Sequence, residues 1–461
     1  MIDREVIEAT LAFALRNGGD FAEVFAEDRR SHAASLDDGK VEELSSGRRR
    51  GAGVRVIVGE TTGFAHTADL SSEGLREAAA AAAAVARGGA PAQPVALADT
   101  PAHASSAVRV APESVDKARK VALLQAADAA ARAEGAAIRQ VGVSYGEGTR
   151  QILVANSDGC FATDTRTRTR FAVQCVAVGD TGMQTASESP GRSLGFEYFD
   201  QFDPEDIART AAQRALMLLT ARPAPTGPMP IVLKRGAGGV MFHEACGHGL
   251  EADLVKKDAS VFAGRVGTSV ASPLVTLIDD GAMVDEWGTA AFDDEGTPTQ
   301  RNVLIEEGVL TDYMWDLARA RKDGRAPSGN GRRETYQDLP MVRMTNTYIT
   351  AGSDDPETII ENTDRGIYCV QLGGGQVNTA TGDFVFGITE AYLIENGKIT
   401  APIRPANLIG NGPAALLAVD AVGNDFATWA GTCGKDGQGV SVSAGQPTLR
   451  VAELTVGGTA V

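Results

Sequence analysis

Two of the five histidines in this chain of 461 residues, His243 and His248, stand five positions apart, with Glu244 directly after the first. Imidazole is the commonest side-chain ligand for zinc. A carboxylate next to the first histidine occupies the position of a general base that acts on metal-activated water. A spacing of four puts two side chains on one face of a helix, about 40° apart, whereas five gives roughly 140° on a regular α-helix. The pair therefore shares a metal only if the helix is distorted. Gly247 and Gly249 lower the cost of distortion, and a π-type turn, bonded from i to i+5, would bring the rings back into register.

A catalytic zinc takes three protein ligands and leaves a position for water. Cys246, three residues from His243, is one candidate for the third ligand. Glu251, Asp253 and Cys433 are others, the last within the turn-like Gly431-Thr432-Cys433-Gly434-Lys435. Position alone does not choose among them. Gly373, Gly374 and Gly375 would let a substrate backbone pass close to a metal. Tyr336, in a polar stretch with Arg332 and Arg333, is a candidate hydrogen-bond donor to a tetrahedral oxyanion. The competing reading is a non-catalytic binding or regulatory subunit with a structural zinc, closed by four protein ligands.

These residues must be positioned by the surrounding elements. In the first half, helices are expected over 3–16, 75–84 (stopped by Gly88-Gly89), 114–134 and 204–221. Strands are expected at 22–26, 54–58, 138–145, 150–156 and 168–179, forming a largely antiparallel sheet. Residues 222–230 hold four prolines and a glycine, which places a domain boundary there. Beyond it short strands dominate, at 231–233, 274–278, 347–349, 367–370, 384–386 and 391–394, with a single early helix that carries both histidines. Gly410 to Ala415 matches a dinucleotide-binding fingerprint only in spelling: Pro413 interrupts it and no βαβ unit surrounds it, so it reads as a turn opening a helix over 414–422.

Composition excludes several classes. With 43 basic and 60 acidic residues the net charge is −17, which opposes binding to nucleic acid or to anionic lipid, and at most biases a site toward basic peptides. Arg48-Arg49-Arg50, near Glu42 and Glu43, reads as a solvated turn. No apolar run is long enough to span a membrane, and the first residues lack a signal pattern, so a cytoplasmic location is expected. The five scattered cysteines argue against a disulfide framework. Cys160, Cys175 and Cys369 read as packing residues, and His32, His66 and His103 as surface residues.

The segment from His243 to Asp253 resembles the HExxxH region of the TldD/PmbA metalloproteases. Arg343 to Thr347, Gly373 through Phe384, Asn411 through Lys435 and Gly445 to Leu449 resemble further stretches of that family, in the same order. The resemblance implies an α+β protein of two domains. The first, 1–222, would be an N-terminal α/β domain; the second, 229–461, a β-rich, barrel-like domain carrying the metal-site helix. It also implies a zinc peptidase of the active type, in which His243, His248 and Cys433 bind Zn2+ and Glu244 is the base. Cys246 falls where the family has a small apolar residue and would then serve packing. The family further implies a site enclosed within a homodimer, or a heterodimer with a sister subunit. The β-rich surroundings suggest that substrate binds as an added strand, which favours unfolded peptides.

Overall fold

The computed structural model describes residues 2–85, 93–101 and 106–458; Gly88, Gly89 and His103 lie outside them. The first half is built on one antiparallel sheet of long strands: β1 (Phe21–Asp37), β2 (Lys40–Val58), β3 (Thr61–Thr67), β4 (Ile138–Asn156), β5 (Cys160–Gly179) and β6 (Gly182–Glu188). Their order is β3-β2-β1-β4-β5, with β6 and two two-residue strands, Ala98–Asp99 and Gly191–Arg192, on β5. The two strands expected at 138–145 and 150–156 are one. Gly146 and Gly148 read as breaks in the sequence, but continuous pairing with both β1 and β5 carries the strand through them. Arg48 to Arg50 is likewise no turn: it lies within β2, opposite Asp28 to Arg30 of β1, and Arg48 pairs with Asp28.

Side chains alternate across this sheet. Ala22, Val24 and Ala26 of β1 and Val54 and Val56 of β2 face α1 (Arg4–Ala14) and α2 (Ser72–Ala83). Val141, Val143 and Tyr145 of β4 and Phe171, Val173 and Cys175 of β5 face α3 (Lys117–Ala133) and α4 (Pro204–Leu218). The opposite face presents Phe25, Ile152, Val154 and Ala162 to Ala291, Phe292 and Tyr336 of the second half. Buried ion pairs cross that junction. Arg55 joins Glu23 to Glu295 at 2.7 Å each, and Arg166 reaches Asp294 at 2.7 Å.

The second half holds a closed barrel of five strands: β7 (Gly227–Leu233), β11 (Arg365–Val377), β12 (Asp383–Glu395), β13 (Ala406–Asn411) and β16 (Leu449–Gly458). Its ring runs β11-β7-β16-β13-β12 and closes where β12 pairs back with β11. Beside it stands a second sheet containing β8 (Leu277–Asp280), β9 (Arg301–Glu306), β10 (Asn346–Ile349), β14 (Ala427–Lys435) and β15 (Gln438–Gln446). It is ordered β9-β8-β10-β15-β14, so β14 is an edge strand. The early helix is not alone: short helices also occur at Leu317–Lys322, Pro356–Glu361 and Gly412–Leu417. The last of these starts at the fingerprint look-alike but stops at Leu417, because Val419–Val422 pairs with β16. Among the described residues no helix is long and apolar enough to cross a membrane.

Candidate metal centre

The two histidines sit where the chain leaves β7 and passes between the barrel and the second sheet. An α-helical turn, Gly239–Phe242, leads into a π-helical turn, His243–Gly247, and then a 3-10 turn, His248–Leu250. The backbone N–H of His248 donates to the carbonyl of His243, the i to i+5 bond that a five-residue spacing requires. The two rings consequently face each other, with centroids 5.3 Å apart and planes at 83°. Close packing fixes this segment. A Cβ at Gly239 would stand 2.7 Å from the backbone of Ala444, and one at Gly247 would stand 2.2 Å from Sδ of Met344.

Cys433 arrives from β14, paired opposite Val440 of β15. One donor atom each from His243, His248 and Cys433 falls within 4.8 Å of the others, and all three residues are buried. Nε2 of His248 is 3.2 Å from Sγ of Cys433. Both ring nitrogens of His243 are buried without a hydrogen-bond partner among the described residues, which is costly in a dry core and leaves a nitrogen free to bind a metal. Burial alone would raise the Cys433 thiol, but the adjacent His243 and His248 imidazoles overturn that and hold it at about 4. Two imidazoles and a thiolate are a donor set suited to zinc.

The surroundings orient these donors. Nδ1 of His248 lies 3.0 Å from Oε2 of Glu251, which leaves Nε2 directed at the cluster. Glu251 is fully buried; its desolvation is outweighed by His248 and Lys435, which keep its pKa below the ordinary carboxylate range. Lys435 Nζ also donates to Asp253 at 2.8 Å and to the carbonyl of Val342 at 3.1 Å. Arg343 donates to the backbone carbonyl of Cys433. Glu251 and Asp253, open candidates for ligation, are thus second partners to the donor set. Cys246 is wholly buried among apolar neighbours, and that burial pushes its thiol up, so it packs. Lys435 and Arg343 carry no sequence signal beyond their nearness to Cys433 and to the 343–347 motif; their roles depend on the tertiary fold.

Glu244 lies beside the donors, its carboxylate 3.5 Å from Nε2 of His248 and about a quarter exposed. It opens onto a cavity of about 420 Å3 that also touches His243 and Cys433. Gly373, Gly374 and Gly375 line this cavity, as do Thr185 to Ser187 of β6. Here β11 has a free edge: it pairs with β7 only over Ile367–Cys369, and its register with β12 is irregular from Cys369 to Gly375. Arg214, absent from the sequence expectations, reaches the same cavity from α4 while paired with Glu188 and Glu390.

Tyr336 is not brought to the cavity. Its ring is buried at the junction of the halves among Phe25, Ile152 and Phe292, edge-on to His66 at 6.0 Å and against Gly51. The oxyanion role expected of it has no geometric basis, because apolar packing against β1, β4 and Phe292 claims the ring. Among the other expectations, Cys175 and Cys369 are buried and Cys160 is half-buried, while His66 is exposed. His32 is half-buried and lies 3.0 Å from Glu147.

Family models match nearly the whole described chain in three pieces. They are a PmbA/TldA metallopeptidase domain 1 over residues 22–86, the central domain over 111–219 and the C-terminal domain over 226–458. The chain is 39% identical over 449 residues to a Metalloprotease TldD homolog of Haemophilus influenzae, spanning 95% of this chain and 93% of that one. It is 32% identical over 281 residues to a Zinc metalloprotease TldD homolog of Saccharolobus solfataricus, spanning 61% and 62%. Among solved structures, TldE from Thermococcus kodakarensis superposes with a TM-score of 0.80 at 21% identity, covering 98% of this chain and all of that one, a likeness of fold.

Proposed function

The chain belongs to the PmbA/TldD metallopeptidase family and is a metallopeptidase, and from that premise we propose that it uses zinc to hydrolyse unfolded peptides or small proteins bound in extended form. The observation that carries this reading is the convergence of His243, His248 and Cys433 on one wall of an open cavity with Glu244 beside them. Zinc held there would lower the pKa of the attacking water and polarise the scissile carbonyl. Glu244 takes the proton of that water and passes it to the leaving amine. Glu251 holds His248 in the tautomer that presents Nε2. The free edge of β11 at Gly374 and Gly375 offers main-chain groups to an extended substrate, an arrangement that reads backbone and not sequence. Access to a cavity wall favours this over a closed structural site.

The chain is further proposed to work as two domains, 1–222 and 229–461, in the cytoplasm. Its proposed assembly is a homodimer or a heterodimer with a sister subunit of the same family. The test of the peptidase reading is Glu244→Gln. It should keep one zinc per chain by metal analysis and lose turnover of an unfolded peptide by roughly 10²–10⁴-fold. Full activity in that variant, or in wild-type protein after chelation of its metal, overturns the assignment.

A further inference from the structure

A second cavity, of about 500 Å3, abuts the metal cleft and shares Thr432 with it. Thr432 immediately precedes Cys433 on the edge strand β14, so the cavity begins one residue from a metal donor. Its walls come from both halves of the molecule. Arg29 enters from β1, Arg150 from β4, and Arg166, Arg168 and Arg170 from β5. Arg332 and Arg333 enter from the second half, with Trp287. Against these seven arginines the cavity presents three carboxylates, those of Glu147, Asp294 and Glu334.

A structural ion network pairs its charges, and part of this one does. Arg166 is held by Asp164 at 2.9 Å and Asp294 at 2.7 Å, and Arg150 by Glu27 at 2.6 Å. The remainder is matched only in part. Arg168 donates only to the carbonyls of Trp287 and Thr289, at 2.7 and 3.2 Å. Arg332 donates to the carbonyls of Met344 and Ser441. Among the described residues neither has a carboxylate within ion-pairing distance. Arg333 is completely buried: its Nη2 donates to Glu23 and to the carbonyl of Asp294, while Nε and Nη1 have no partner among the described residues, as Nη2 of Arg150 has none. Burial, reinforced by neighbouring arginines, pushes Arg168 well down and Arg332 down to about 10. Guanidinium groups collected in a low dielectric repel one another unless an anion joins them.

We propose that this cavity is a carboxylate-binding subsite that takes an acidic side chain or the C-terminal carboxylate of the extended peptide whose scissile bond lies at the metal cleft. The inference rests on the peptidase reading above. A carboxylate accepts two parallel bonds from one guanidinium, the geometry in which arginine excels. The −17 of the chain as a whole opposes the approach of a polyanion. That overall charge does not decide the local preference, since it is screened over about 8 Å at physiological ionic strength.

The test uses the full zinc-loaded chain carrying Glu244→Gln and four fluorescent peptides that differ only in charge. One has an internal Asp and a free C-terminus, one has Asn in place of Asp, one has an amidated C-terminus, and one has both changes. Anisotropy should show at least about tenfold tighter binding of an anionic peptide than of the doubly neutral one. The singly changed peptides identify which carboxylate is read. In Arg168→Gln or Arg332→Gln the preference should fall below about twofold with zinc content retained, and Arg29→Gln serves if the buried variants do not fold. Equal affinities in the parent, or a preference untouched by folded variants, overturns the subsite. Cleavage by wild-type protein without charge preference leaves the peptidase reading standing and removes the subsite; charge-selective binding without cleavage does the reverse.

Discussion

On one side of β14 the side chains gather negative charge around a small buried volume; on the other they gather positive charge around a larger one. Around Cys433 stand Glu244, Glu251 and Asp253 against one cation, Lys435, with a thiolate held at about 4 and a histidine whose ring nitrogens have no partner among the described residues. Past Thr432 stand Arg168 and Arg332, whose guanidinium nitrogens meet backbone carbonyls, and Arg333, which pairs with Glu23 through Nη2 and leaves Nε and Nη1 without a partner among the described residues. Each region is unbalanced by itself. Buried polar groups left unpaired in a low dielectric are costly, so their sign identifies the partner each region is shaped for: a cation in the first, an anion in the second. A peptide lying across both would be read by its backbone, by its scissile carbonyl and by one charge.

The comparison breaks most sharply at Cys433. Cys433→Ala should remove zinc and with it all turnover, while leaving the arginine cavity and its peptide preference in place; retained zinc by metal analysis would show that the three donors are misassigned. A smaller effect is expected at Glu251. Glu251→Gln should weaken zinc about 10–100-fold in a competition titration, the usual cost of losing the partner that orients a ligating histidine. The mildest test leaves the sequence intact. Cys433 has a folded value of about 4, against an ordinary thiol near 8.5. Its thiolate therefore stabilises the metal-free fold fully above about pH 8.5, and that contribution is lost as pH falls through about 4. At pH 6 Cys433 is ionised, whereas burial pushes Cys369 up to about 12 and holds Cys246 neutral. Alkylation of the metal-free chain at pH 6 should mark Cys433 first, and added zinc should block it, read by peptide mass mapping.

The metal-binding turn was legible because its constraint is local. Two rings five residues apart demand an i to i+5 turn, and the glycines that permit one lie in the same segment. The third donor was not legible from spacing, since nothing within a few residues of His243 reports that β14 will deliver Cys433 to it; the resemblance to a family supplied it. The antiparallel sheet was readable from alternation, but strand lengths were not. Gly146 and Gly148 look like breaks until pairing on both sides carries β4 through them. Tyr336 failed for the same reason: a polar, glycine-rich neighbourhood says nothing of the apolar residues of β1, β4 and β5 that capture the ring. The arginine cavity is the extreme case, because its seven arginines come from four separate segments that are polar and unremarkable one by one.

The barrel has a consequence for the order in which the molecule comes into being. Its first strand, β7, takes as antiparallel neighbour its last, β16, and as parallel neighbour β11. A nascent chain that has just produced Leu233 must therefore continue to Leu449 before the ring can shut, and it must pass Cys433 before the donor set is complete. Contacts of such long reach form late, because the entropy of closing the loop is lost before any contact repays it. The histidine turn made early in synthesis of this half is thus held without Cys433 through most of the synthesis of that half. On the proposed assignment, the donor set for zinc would be incomplete until the edge strand β14 has been made.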